Sequence, residues 1–136
     1  MNEPAIEGSC LCGEIRYEIA GELRSATHCH CSMCRKAHGA AFATYVEVEA
    51  RNLRFTRGQK LIARYRSSPE AERSFCSRCG SNLLFEPDES PDLVWVAAGG
   101  LDSESQVRPD AHIFVGSKAP WFDIDDDLPQ HEVDSD

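Results

Sequence analysis

The 136-residue chain has no long apolar run: the longest, "LVWVAA" at 93–98, falls far short of the roughly 20 residues that span a bilayer as a helix. It also lacks a secretory-type start, because "MNEPAIEG" opens with acids and a proline where an export signal carries a basic end and an apolar stretch. These gaps predict a soluble chain in the cytoplasm with no membrane partner. A third absence is the long amphipathic helix: no segment repeats apolar residues at helical spacing, and the best helical candidate is a short turn after Cys34. There is no internal repeat of fixed period and no extended arginine-rich arm. With a net charge of −9, the missing arm argues against nucleic acid as a partner.

What charge there is lies unevenly. Residues 119–136 hold seven acids (Asp123, Asp125, Asp126, Asp127, Glu132, Asp134 and Asp136) and no Lys or Arg. Residues 51–78 hold eight Lys and Arg against Glu70 and Glu72. That basic stretch reads either as a stripe for phosphates or, more simply, as charge offsetting the acidic end and a cluster of metal thiolates.

The apolar pattern is that of β-structure throughout. In "GEIRYEIA" (13–20) Ile15, Tyr17 and Ile19 alternate with Arg16 and Glu18, and in "AFATYVEV" (41–48) Phe42, Val46 and Val48 share one side. "NLRF" (52–55), a turn at Arg57-Gly58 and "KLIARYRSS" (60–68) read as a hairpin. "SNLLFE" (81–86), "LVWVAA" (93–98) and "HIFV" (112–115) complete the expected strands, with loops at 87–92 and 99–110. The length fits one all-β domain.

Seven cysteines are the chemical feature of this sequence. In a reducing compartment clustered cysteines are more often metal ligands or catalytic groups than disulfides. "CLCG" (10–13) and "CSRCG" (76–80) are close pairs, each with Gly directly after the second Cys, where a turn aims backbone N–H groups at a thiolate sulfur. Cys10, Cys12, Cys76 and Cys79 together fill a closed, structural zinc site; the competing reading is two separate redox or unliganded pairs. Subtraction leaves Cys29, Cys31 and Cys34 in "HCHCSMCRKAH" (28–38), without a following Gly. Three ligands and one open position describe a catalytic zinc, ready for water or an incoming thiol. Ser32, Arg35 and Lys36 are adjacent candidates for holding substrate, set against a reading as ordinary solvated side chains.

A histidine could close the second site and make it structural. Strand alternation sends His28 and His30 away from Cys29 and Cys31, whereas His38, four positions after Cys34, could return on a helical turn. His112 and His131 read as structural or exposed.

The strings "GSCLCGEIRYEI", "CHCSMCRKAHGAAFATYV", "RSFCSRCGSNLLFE", "WVAAGGLD" and "HIFVGSKAPWFDI" resemble, in order, the glutathione-dependent formaldehyde-activating enzyme family, which includes the centromere protein V domain. The likeness runs from about Gly8 to Pro129, so it implies a domain at 1–129 and a disordered acidic tail at 130–136. It implies a β-tent of antiparallel sheets organised around two Zn²⁺ per chain, structural at Cys10, Cys12, Cys76 and Cys79 and catalytic at Cys29, Cys31 and Cys34. It further implies a carbon–sulfur lyase that joins glutathione, or a similar small thiol, to formaldehyde or another small aldehyde. The alternative is a zinc-ribbon-type module with two structural zincs that binds protein or nucleic acid.

Overall fold

The computed structural model describes residues 5–21, 23–103 and 107–134; the ends of the expected domain and tail, 1–4 and 135–136, lie outside them. In chain order the elements are β1 (Ile6–Ser9), β2 (Arg16–Ile19), β3 (Ser25–Cys29), α1 (Ser32–His38), β4 (Ala43–Glu49) and β5 (Leu53–Arg57). They continue as β6 (Ile62–Ser68), β7 (Ala71–Cys76), β8 (Asn82–Pro87), β9 (Leu93–Ala97) and β10 (Ala111–Ile113). A three-stranded sheet runs β1-β2-β5 and a seven-stranded sheet β10-β3-β4-β9-β8-β7-β6. Among the described residues the strands pair antiparallel except β10 with β3. The all-β expectation holds, and no helix among the described residues is long and apolar enough to cross a membrane.

Alternation along the strands divides the side chains between two cores. Ile15, Tyr17 and Ile19 from the small sheet pack with Val46, Val48, Val94, Val96 and Leu84 from one face of the large sheet. The other face carries Cys29, Ala43, Tyr45 and Ala97, packed with Cys34 of α1 and with Phe85 and Trp95. Because β4 lies inside the large sheet, it buries both faces: Val46 and Val48 are buried on one and Ala43 and Tyr45 on the other.

The expected hairpin at Arg57-Gly58 is not formed. β5 pairs with β2 in the small sheet, and β6 pairs with β7 in the large one. Gly58 marks the crossing rather than a hairpin turn: φ is +76° there, and a Cβ would sit 2.0 Å from the carbonyl oxygen of Glu14. Only glycine admits that approach, which brings residues 57–58 against the start of β2 before a 3-10 turn at Gln59–Leu61 leads to the other sheet.

The segment expected to be a disordered tail differs over its described part. Pro129 O accepts from His112 N at 2.9 Å, His131 N donates to His112 O at 2.9 Å, and Phe114 N donates to Val133 O at 3.0 Å. Its polar composition hides a backbone role, since these bonds occupy the outer edge of β10, which would otherwise end the sheet unpaired.

Candidate metal centres and their surroundings

The seven cysteines fall into the two groups read from the sequence. The sulfurs of Cys10, Cys12, Cys76 and Cys79 lie within 4.8 Å of one another, as do those of Cys29, Cys31 and Cys34. A tetrahedron with zinc–sulfur bonds of about 2.3 Å has sulfur–sulfur edges of about 3.8 Å. Cys10 and Cys12 stand 3.6 Å apart and Cys12 and Cys76 3.9 Å apart, so the four-sulfur group fits the ion.

Turn geometry prepares that group for negative charge. Gly13 (φ +79°) and Gly80 (φ +82°) are both left-handed, as the sequence pattern requires. Ile15 N donates to Cys10 Sγ at 3.3 Å, Cys12 N to Cys79 Sγ at 3.4 Å, and Arg78 N and Cys79 N both to Cys76 Sγ at 3.4 Å. The Ser81 hydroxyl lies 3.2 Å from Cys79 Sγ and is the main reason that its thiol is pushed down to about 5. These backbone donors favour the thiolate form of the cluster.

The three-sulfur group is built differently. Cys29 ends β3, Cys31 caps the first turn of α1 by accepting from Cys34 N at 3.2 Å, and Cys34 is buried on that helix. The helix thus contains Cys34 rather than following it. Cys31 is the thiol most ready to ionise, pushed down to about 2 by hydrogen bonds from Cys29 and Cys34, with further help from Cys34 N and Arg73. Cys29 is pushed up, chiefly because it supplies a bond to Cys31. An all-sulfur set of three, with one member already anionic, suits a soft divalent ion such as zinc.

No histidine among the described residues joins either group. His38 Nε2 lies 3.0 Å from the Tyr45 hydroxyl. His28 and His30 turn to the other side of β3, where His30 Nε2 meets His112 Nδ1 at 2.8 Å and both rings pack with Phe42. His112 is buried and pairs through Nε2 with Asp126 at 3.0 Å. Of the candidate substrate holders, Ser32 and Lys36 are exposed on α1, while Arg35 Nε donates to Ser117 O at 3.2 Å.

Sequence reasoning missed Arg73. It lies in the basic stretch read as offsetting the acidic end and the metal thiolates, and it is 6% exposed. Its Nη2 donates to Cys34 Sγ at 3.5 Å, Nη1 to Tyr45 Oη at 2.9 Å and Nε to Ser67 Oγ at 3.1 Å, and its guanidinium covers the Phe85 ring at 4.9 Å. Five of its neighbours in that stretch are spoken for: Arg51, Arg54, Arg57, Arg64 and Arg66 pair with Glu49, Glu18, Glu14, Glu86 and Asp88.

One strand, β7, carries Arg73 against one sulfur group and Cys76 in the other. Residues 5–117 match the profile of the glutathione-dependent formaldehyde-activating enzymes, and the chain belongs to that family, a family of lyases. A protein of Halomonas elongata, provisionally named a glutathione-dependent formaldehyde-activating enzyme, is 33% identical over 88% of this chain and 81% of its own length. An uncharacterized lyase of Schizosaccharomyces pombe is 25% identical over 96% of this chain and 93% of its own. A Rhodobacter sphaeroides protein of known crystal structure superposes with a TM-score of 0.61 at 26% identity, over 74% of this chain and 91% of that one.

Proposed function

We propose that the protein is a zinc-dependent carbon–sulfur lyase that adds a small thiol, such as glutathione, to a small aldehyde, such as formaldehyde, at Cys29, Cys31 and Cys34. The observation that carries this reading is the contrast between the two sulfur groups. Four sulfurs caged by backbone N–H groups suit a structural ion; three sulfurs under a buried guanidinium leave a coordination position for an incoming ligand. Zinc held there would supply a Lewis-acid position that lowers the pKa of an incoming thiol.

In the synthetic direction the thiol loses its proton, sulfur forms a bond to the carbonyl carbon, and the carbonyl π pair becomes an alkoxide. The alkoxide takes up one proton, so thiol and aldehyde give a hydroxyalkyl thioether with no other co-reactant. Ser32 and Lys36 would hold polar ends of the thiol, a role supported by their exposure on the helix that carries Cys34. Arg35, on the same helix, is half-buried and its Nε donates to the Ser117 carbonyl oxygen. Proximity of the two reactants supplies most of the acceleration in such a site. The ion pairs that engage most of the basic stretch at 51–78 weigh against the binding-module alternative.

Exchange NMR of glutathione with labelled formaldehyde tests the reading, because the adduct also forms slowly without enzyme. Zinc-loaded protein should accelerate interconversion, and Cys31→Ser should remove that acceleration. Equal exchange rates with and without the protein would refute the activity.

A further inference from the structure

A buried charge needs an opposite charge or it does not stay buried. Arg73 is 6% exposed, and no carboxylate among the described residues lies within ion-pairing distance of it. Its oxygen partners, Tyr45 and Ser67, are hydroxyls, and the Phe85 ring contributes only a weak electrostatic attraction. The remaining partner is the Cys34 sulfur. The counter-ion of Arg73 is therefore the three-cysteine group itself. Three thiolates on a divalent ion carry −1, and the guanidinium brings the assembly to neutrality.

The guanidinium is held in place from three sides. Tyr45 stands on β4 and Arg73 on β7, with β9 and β8 between them, a span of about three strand spacings, or roughly 14 Å. Two long side chains close that gap over Phe85 and beside the small Ala97, which pairs with Tyr45 across the sheet. Arginine has donors only, so the Tyr45 oxygen accepts from Nη1. His38 Nε2 lies 3.0 Å from the same hydroxyl, and burial, with Arg73 nearby, lowers the pKa of this imidazole. Ser67 fixes the third nitrogen. A guanidinium so restrained presents a constant charge rather than a mobile one.

We propose that Arg73 is a positioning residue that makes the three-cysteine centre select an anionic fourth ligand, a thiolate, over a neutral one. This rests on the reading of Cys29, Cys31 and Cys34 as an open zinc site. A thiolate arriving at a centre of charge −1 meets repulsion; beside a fixed guanidinium it meets a neutral assembly. A neutral ligand such as imidazole gains nothing from that compensation. Arg73 acts through Cys34, so its effect is a preference between ligand charges, which a merely structural residue would not set.

The test uses full-length protein with cobalt replacing zinc, titrated separately with 2-mercaptoethanol and with imidazole at one fixed pH. Sulfur-to-cobalt charge-transfer absorption and the d–d bands report each ligand. The ratio of thiol to imidazole affinity should fall roughly ten- to hundredfold in Arg73→Gln, the range of a hydrogen bond to a charged group. In Arg73→Lys, which keeps the charge, it should stay within about threefold of wild type. Arg73→Met, whose unbranched stem fills the same space on Phe85, replaces the Gln variant if that one does not fold. An unchanged ratio in the uncharged variant, or equal falls in the Lys and uncharged variants, would overturn the assignment. A wild-type centre that takes neither ligand would instead overturn the open-site reading.

Discussion

Arg73 Nη2 donates to Cys34 Sγ at 3.5 Å across 39 positions of sequence. The strand that delivers this guanidinium, Ala71–Cys76, ends at a sulfur of the other centre. Anchoring Cys76 in the four-sulfur group therefore also fixes where Arg73 stands, three residues of extended chain away beside the three-sulfur group.

Unequal retention of metal follows from this arrangement. Purified protein is expected to hold two zinc ions per chain, of which a chelator removes the one at Cys29, Cys31 and Cys34 first, because three protein sulfurs enclose an ion less completely than four. Metal analysis along a chelator titration would show two steps. Loss of both ions in a single step would contradict the division.

Mutation should separate the centres as well. Cys31→Ser removes a sulfur ligand but leaves a good helix cap facing Cys34 N, so the fold should survive with a melting temperature within about 3 °C of wild type. Cys76→Ser breaks the cage and should leave the chain unfolded or insoluble, since structural zinc binding is worth roughly 10–16 kcal/mol, as much as the stability of a small domain. Circular dichroism and thermal melts decide; equal collapse of both variants would mean that both ions are structural.

Deleting residues 130–136 removes the edge bonds that His131 and Val133 make with His112, Phe114 and Val115. Several backbone bonds at about 0.5–1.5 kcal/mol each predict a loss of about 2 kcal/mol or more and a melting temperature lower by about 5 °C or more. An unchanged melting temperature would show that these bonds form without stabilising the sheet.

Acid should destabilise the protein before its carboxylates titrate. Burial pushes His28, His30 and His38 below the usual imidazole range, His30 down to about 4. Protonation is thus harder in the folded chain than in the unfolded one, so the stability from the neutral rings is complete above about pH 6.5 and is lost as pH falls through the depressed folded values. Melts between about pH 7.5 and 5, with bound metal measured at each point, should show the decline while both ions remain. A flat melting temperature over that window would contradict it.

Legibility in the sequence followed the range of each interaction. The grouping of cysteines was readable because spacing and a following Gly are local signs, and Gly13 and Gly80 are left-handed at those turns. Ile15, Tyr17 and Ile19 announced a strand because they alternate, and all three are buried. β7 did not, because Glu72, Arg73 and Ser74 break the alternation where Arg73 and Ser74 are both buried. The basic stretch was read only as a group offsetting acids and metal thiolates, and the assembled sheet is what singles out Arg73 by bringing a sulfur and two hydroxyls to it. The parting of β5 from β6 and the pairing of residues 129–133 with β10 likewise depend on backbone contacts that composition does not record.

The most direct measurement for the open thiol-binding centre is a glutathione titration of the fully cobalt-substituted protein followed by visible and near-ultraviolet absorption. One of the two cobalt ions should change its spectrum saturably, and that change should vanish in Cys31→Ser while the other ion keeps its four-sulfur signature. Two ions that both ignore glutathione, or a response that persists in Cys31→Ser, would contradict an open centre at Cys29, Cys31 and Cys34.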